Sequence, residues 1–234
     1  MPSEPKSQTA YAMRDDRFRD RQEAGHQLGT ALFGQFGNRE DTIVLALPRG
    51  GIPIGYEVAR ALGAPLDVFV VRKLGLPGHE EFAMGAIASG GVRVLNQGVF
   101  AQFPIPMHVV DAVAQREMRE LERRERSYRG SRAPLDVRGQ TVIVVDDGLA
   151  TGSTMRAAVH ALRKMGPRAI VVAVPVAAPD TCEEFRSEVD EIVCLRTPEP
   201  FQAVGLWYAD FSQTTDEQVH ELLDRAWSSG VRDE

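Results

Sequence analysis

Apolar residues in this chain gather into short, unbroken runs rather than alternating with polar ones. "TIVLAL" (42–47), "LDVFVV" (66–71), "TVIVVD" (141–146), "RAIVVAVPV" (168–176) and "EIVCL" (191–195) are all rich in β-branched residues. A strand covered on both faces has this pattern, because neither of its faces meets water. Between the runs the spacing changes to that of helices. Residues 16–36 predict a moderately amphipathic helix with Phe18, Leu28, Leu32 and Phe33 as its apolar positions. "IPIGYEVARALGA" (52–64) predicts another, with Gly63 as its C-cap. Further helices are predicted over 106–129, 153–165 and 179–187. Strands alternating with helices predict an α/β fold, a parallel twisted sheet with right-handed crossovers and helices on its faces. The stretch 74–91 is rich in glycine and charge and predicts a long loop with at most short strands, followed by a short strand at "VRVL" (92–95). Residues 130–140 read as a connector, and the chain shows no internal repeat.

Charge adds detail. In "QREMRELERRERSYR", within the 106–129 helix, arginine and glutamate alternate, with i,i+4 pairs at Glu120–Arg124 and Glu122–Arg126. Such a run reads as a solvated helix face. The 234 residues are 43% hydrophobic, enough to fold as one domain. The net charge of −6 does not favour nucleic acid or an anionic membrane as a partner. No apolar run nears the ~18 residues that span a bilayer. The start, "MPSEPKSQTA", has no signal-peptide apolar region, and residues 1–12 are expected to be a disordered tail. Cys182 and Cys194 suggest no disulfide framework. They read as small buried apolar residues of a cytoplasmic protein.

The chemistry concentrates in "TVIVVDDGLATGSTMRAAV" (141–159). The strand ends on two adjacent carboxylates, Asp146 and Asp147, and "GLATGST" (148–154) leads into a helix. Ligands of open α/β sheets bind outside the carboxyl ends of the strands. A helix N-terminus there offers free N–H groups and a positive dipole end to an anion. Gly148 and Gly152 permit close backbone approach, and Thr151, Ser153 and Thr154 add hydroxyl donors. This makes a phosphate cradle without the spacing or lysine of a Walker P-loop. Carboxylates repel phosphate, so they must serve another part of the ligand. A molecule with a phosphate at one end and a ribose diol nearby satisfies both features, and the pair could also touch a divalent cation held by that ligand. The alternative is a structural acid pair, with Thr151 or Ser153 capping the next helix.

"VIVVDDGLATGST" closely resembles the ribose-phosphate motif of the type I phosphoribosyltransferases. The resemblance implies that Asp146 and Asp147 hold the ribose hydroxyls of phosphoribosyl pyrophosphate and that the segment from Ala150 to Thr154 holds its 5-phosphate. "LPRGGIPIG" (47–55) resembles the pyrophosphate loop of bacterial xanthine–guanine enzymes, which implicates Arg49, Gly50 and Gly51. "VVRKLGLPG" (70–78) resembles the arginine–lysine segment of adenine enzymes, so Arg72 and Lys73 would face the same anion. The resemblance covers a core of about 41–195 and places the family's mobile catalytic loop at 74–91, where Glu81 could transfer a proton or contact the nucleophile or cation.

A small hood for the acceptor is then expected from the termini, 13–40 or 196–234. Phe201 and Trp207, in the aromatic-rich "FQAVGLWYADF" (201–211), are its candidate stacking residues. Ala150 stands where the 6-oxopurine enzymes carry an acid, so the acceptor stays open. The expected reaction moves phosphoribosyl to a nitrogen nucleophile, with Mg²⁺ and release of pyrophosphate. Arg49 and Lys73 would stabilise the leaving group, and Asp146 and Asp147 would orient the ribose. No direct protein metal site is expected beyond contact with that acid pair. The assembly to test for is a homodimer. A non-catalytic sensor of the same sugar phosphate is the alternative.

Overall fold

The computed structural model describes residues 16–103, 105–133 and 135–229, except the side chains of residues 80, 81 and 229. The expected tail over 1–12 lies outside the described residues. Five parallel strands form the main sheet in the order β2-β1-β6-β7-β8. They are β1 (Thr42–Ala46), β2 (Leu66–Val68), β6 (Thr141–Val145), β7 (Ala169–Val176) and β8 (Glu191–Arg196). The central strands β1 and β6 are buried at every position, as their unbroken apolar runs require.

Alternate residues of these strands build two cores. Val44, Ala46, Ile143 and Val145 pack with Leu28 and Leu32 of α1 (Arg21–Phe36), Ile54 and Val58 of α2 (Gly51–Leu62), and Val219 and Leu223 of α7 (Asp216–Ser229). Ile43, Leu45, Val142 and Val144 pack on the other face with Met155, Ala158 and Leu162 of α5 (Ser153–Met165) and Phe185 of α6 (Pro179–Phe185). Gly63 ends α2 in the left-handed conformation, as expected of a C-cap. α1 starts five residues later than its periodicity suggests. Asp20 caps it through Glu23 N–H at 2.8 Å, while Phe18 instead donates its N–H to Trp207 O at 2.9 Å.

The expected loop over 74–91 is the largest correction. It forms an antiparallel sheet of β3 (Val71–Leu76), β4 (His79–Ala88) and β5 (Val92–Leu95), which lies against α5 and the long helix α4 (Met107–Arg129). A short helix, α3 (Gln97–Gln102), links β5 towards α4. Of the glycines that argued for a loop, Gly75 and Gly85 are accommodated in the sheet, while Gly78, Gly90 and Gly91 turn the chain at positive φ. The pairing of β3 with β4 shifts register on either side of Gly75. Gly85 lets β4 approach β5 so closely that a side chain there would strike Val94 O. The run "LDVFVV" splits for the same reason, since Phe69 and Val70 form the crossing between the two sheets.

The cysteine reading is also corrected. The structure pairs Cys182 of α6 with Cys194 of β8 as a disulfide, with Cα atoms 6.9 Å apart. Among the described residues no helix is long and apolar enough to cross a membrane.

Candidate functional site

From β1 the chain turns towards β2, and from β6 it turns the other way towards β7. The carboxyl ends of β1 and β6 therefore flank the point where the strand order reverses, and open α/β sheets hold ligands at such a point. The 48–51 turn follows β1 and the acid pair follows β6, so the topology brings the two motifs together. Leu47 N–H donates to Val145 O at 2.9 Å and fixes their relation. Gly50 and Gly51 are required by this contact. A Cβ on Gly51 would lie 2.8 Å from Val145 O, and one on Gly50 would collide with the Asp147 carboxylate. The Pro48–Arg49 peptide is cis.

The acid pair is held from both ends of the chain. Arg21, at the start of α1, donates from Nε and Nη2 to Asp147 Oδ2 at 2.9 and 2.8 Å. It also donates from Nη1 to Ser212 O at 2.7 Å and lies over the Phe211 ring at 3.9 Å. Tyr208 donates its hydroxyl to Asp147 O at 2.6 Å. Asp147 N–H donates to Asp146 Oδ1 at 2.9 Å. Burial pushes the Asp146 carboxyl well above the usual carboxylate range, and the adjacent Asp147 charge pushes the same way. Burial also raises Asp147, but Arg21 opposes it. Burial and then the Asp147 charge raise the Tyr208 phenol, so it remains a donor. Neither Arg21 nor Tyr208 carries a motif, and only the folded chain brings them to the pair.

The 148–152 loop is locked to β7 and α6 below it. Leu149 N–H donates to Val176 O at 2.9 Å, and Thr181 donates its hydroxyl to Ala150 O at 2.6 Å. Gly148 packs under Val204, where a Cβ would come within 2.6 Å. Gly152, with φ 67°, is the N-cap of α5 and makes no side-chain cap. This removes the alternative in which Thr151 or Ser153 caps the helix. The first N–H groups of α5 lack intrahelical partners, and Ala150, Thr151, Ser153 and Thr154 around them are exposed. The loop can therefore receive an anion through backbone donors and hydroxyls.

The remaining predicted residues separate. Arg49 is half-buried beside the turn, and its side chain makes no hydrogen bond or ion pair among the described residues. Arg72 is bound by Glu117 of α4, through Nε at 3.0 Å and Nη2 at 2.6 Å, so its charge is already compensated. Lys73 is exposed on β3. Glu81 lies on β4 rather than on a loop, and its side chain is outside the described residues. Phe201 is half-buried against the core, whereas Trp207 is 7% exposed and is itself a core residue.

Among the described residues, no three His, Cys, Asp or Glu side chains could together hold a metal. Asp146 and Asp147 supply two carboxylates at most. That suits Mg²⁺ held mainly by substrate oxygens and water, since the ion keeps several waters and takes one or two carboxylates beside phosphates.

A family model described as phosphoribosyl transferase domain matches residues 21–208. A Mycobacterium tuberculosis protein, named provisionally as a phosphoribosyl transferase, is 45% identical over 209 residues. That match covers 89% of this chain and 47% of the relative, so the chain spans about half the relative's length. The bifunctional protein PyrR of Chloroflexus aurantiacus is 32% identical over 129 residues, covering 54% of this chain and 65% of that protein. The crystal structure of TT1426 from Thermus thermophilus matches with a TM-score of 0.79 at 43% identity, covering 88% of this chain and 97% of that one.

Proposed function

The chain belongs to the phosphoribosyl transferase domain family, and on that premise we propose that it transfers 5-phosphoribosyl from phosphoribosyl pyrophosphate to a small nitrogen nucleophile, in the class of nucleobases. The observation that carries this reading is the junction at β1 and β6. There a half-buried acid pair stands between a close-packed glycine turn and an uncapped helix N-terminus.

Each part then has a task. The N–H groups and hydroxyls of 150–154 take the 5-phosphate. Asp146 and Asp147 accept the ribose hydroxyls and orient the sugar. Arg21 already occupies Asp147 Oδ2 and Asp147 N–H occupies Asp146 Oδ1, which leaves Asp147 Oδ1 and Asp146 Oδ2 to the diol. Arg49 and the Gly50–Gly51 backbone meet the pyrophosphate, and positive charge there stabilises its departure as charge develops on the sugar. Bound Mg²⁺ would neutralise part of the pyrophosphate charge. Lys73 on β3 and Glu81 on β4 are assigned to a β3–β4 hairpin that closes over the ligand. The same reading carries a cytoplasmic location and a homodimer, and sedimentation of the full chain tests the latter.

Calorimetry with phosphoribosyl pyrophosphate, with and without Mg²⁺, followed by pyrophosphate release across a panel of purines and pyrimidines, tests the proposal. We expect Mg²⁺-dependent binding and turnover with at least one base. Binding without turnover on any acceptor would leave a sensor of the sugar phosphate, and no binding would end the reading.

A further inference from the structure

Beside the β1 turn lies a cavity of about 180 Å³ lined by Arg49, Arg123, Arg124, Ser127, Tyr128 and Asp216. Its guanidinium groups come from segments more than seventy residues apart. Arg49 approaches from the carboxyl end of β1, one residue from the glycine that packs on Asp147. Arg123 and Arg124 approach from α4.

The phase of α4 sets this arrangement. Its buried stripe runs through Val110, Val113, Ala114, Glu117, Leu121 and Tyr128. At helical spacing, Arg124 falls on that stripe between Leu121 and Tyr128, with its side chain 38% exposed. Packing alone would favour an apolar residue there. The alternation of arginine and glutamate, read along the chain, conceals this break in the solvated face.

The cations of the cavity are only partly compensated. The Arg49 side chain has no ion-pair or hydrogen-bond partner among the described residues. One carboxylate, Glu120, accepts from Arg123 Nε and Nη2 at 2.8 and 3.0 Å and from Arg124 Nε at 2.8 Å. Hydrogen bonds from Arg123 and Arg124 hold the Glu120 carboxyl down at about 2, so it stays ionised. Asp216 is engaged by the Tyr128 hydroxyl at 2.7 Å. Burial and that bond push the phenol up to about 12, so it remains a donor. Three guanidinium groups thus meet two carboxylates, Glu120 beside the cavity and Asp216 in its wall, and the two hydroxyls of the lining are already engaged, Tyr128 by Asp216 and Ser127 by His220 Nε2 at 3.4 Å.

We propose that this cavity is an anion subsite for a phosphate-type polyanion. Resting on the function proposed above, it receives the distal phosphate of the pyrophosphate group, with Arg123 and Arg124 reinforcing Arg49. Arginine suits the task because its planar fork can give two parallel bonds to phosphate oxygens. Glu120 competes with the anion for both guanidinium groups of α4 and so tunes the affinity.

The test uses the full chain and inorganic pyrophosphate as the calorimetric probe. Binding should weaken about tenfold to a hundredfold in Arg123→Gln with Arg124→Gln. Glu120→Gln should strengthen it severalfold, because both arginines lose their competitor. A purely structural role for these side chains would weaken binding in both variants, along with their melting temperatures. Unchanged affinity in the double variant, weaker binding in Glu120→Gln, or no pyrophosphate binding by the wild type would each overturn the proposal. Added phosphoribosyl pyrophosphate identifies the source of the anion. Displacement of the probe assigns the subsite to the substrate's own pyrophosphate. Simultaneous binding assigns it to an independent phosphate ligand and overturns the substrate assignment. If the probe binds and the double variant loses it, while phosphoribosyl pyrophosphate does not bind, the anion site stands and the proposed function falls.

Discussion

Burial raises both adjacent aspartates, but only Asp147 has a cation bonded to it. Asp146 is half-buried beside a like charge, while Asp147 is gripped by Arg21. Their neutral variants should differ, because only the Asp147 substitution strands a partly buried cation. Asp146→Asn removes a charge that burial disfavours and should raise the melting temperature at neutral pH. The folded state raises this carboxyl, so its ionisation costs stability fully only above the raised value. The gain from Asp146→Asn should thus shrink as pH falls from that value to the ordinary carboxylate range, and vanish below it. Asp147→Asn leaves Arg21, whose side chain is 12% exposed, without its carboxylate. It should lower stability by about 1–3 kcal/mol. Thermal melts of both variants from acid to neutral pH check the pattern, and equal shifts of the same sign would contradict it.

At the scale of elements, the cradle depends on a conformation and a contact that coincide at Gly152. A residue with a side chain would be strained at φ 67°, and its Cβ would approach Phe185 Cε2 to 2.6 Å. Gly152→Ala should cost at least about 1–2 kcal/mol for the left-handed backbone alone. It should also weaken binding of the sugar phosphate, because α5 cannot keep its N-terminus in place while moving off α6. Calorimetry and melting should register both losses, and an unchanged affinity would show that the loop does not seat the phosphate. The β3–β4 hairpin is a second, separable element. If it closes over the reaction, replacing 77–82 with a two-residue turn should cut turnover by about a hundredfold or more and affinity for phosphoribosyl pyrophosphate much less. Comparable losses in both would instead place the hairpin in ground-state binding.

Over the whole molecule, the two ends of the chain close the site together. Phe18 bridges Tyr208, Ala209 N–H donates to Phe18 O at 2.7 Å, and Arg196 lies over the Phe18 ring at 3.8 Å. Aromatics of the C-terminal segment therefore divide by burial. Trp207→Ala empties a core position and should cost about 3–5 kcal/mol, with similar losses for every ligand. Phe201→Ala, at a half-buried position, should keep most of the stability. If Phe201 stacks on the acceptor, it should lower the acceptor's specificity constant about tenfold to a hundredfold, with little change for the sugar phosphate. Melting curves paired with steady-state kinetics separate the two, and a stability loss for Phe201→Ala like that of Trp207→Ala would make both structural. The disulfide between α6 and β8 is a further whole-chain feature. Alkylation of unfolded, unreduced protein should leave both cysteines unlabelled, whereas labelling of both would show free thiols.

Much of this protein could be read along the chain because the relevant physics is local. Unbroken β-branched runs identify strands covered on both faces, strand–helix alternation implies a parallel sheet, and "DDGLATGST" carries its cradle within a few residues. The antiparallel sheet over 71–95 was hidden, since glycine marks a loop by composition but here permits a register shift and a close strand approach. The Cys182–Cys194 pairing depends on how α6 folds back on β8. Arg72 carries a family-like motif, yet the position of α4 delivers Glu117 to it. Arg21 and Tyr208 reach the acid pair, and Arg123 and Arg124 reach the cavity beside Arg49, from segments that no short motif links. The sequence by itself determined the sheet's central strands and the placing of an acid pair and a glycine–hydroxyl loop at the end of one of them, because backbone geometry and local spacing carry that information. Only the tertiary structure decided which charges face one another, because Coulomb energy, hydrogen bonding and desolvation depend on distance and burial, and neither is a property of position along the chain.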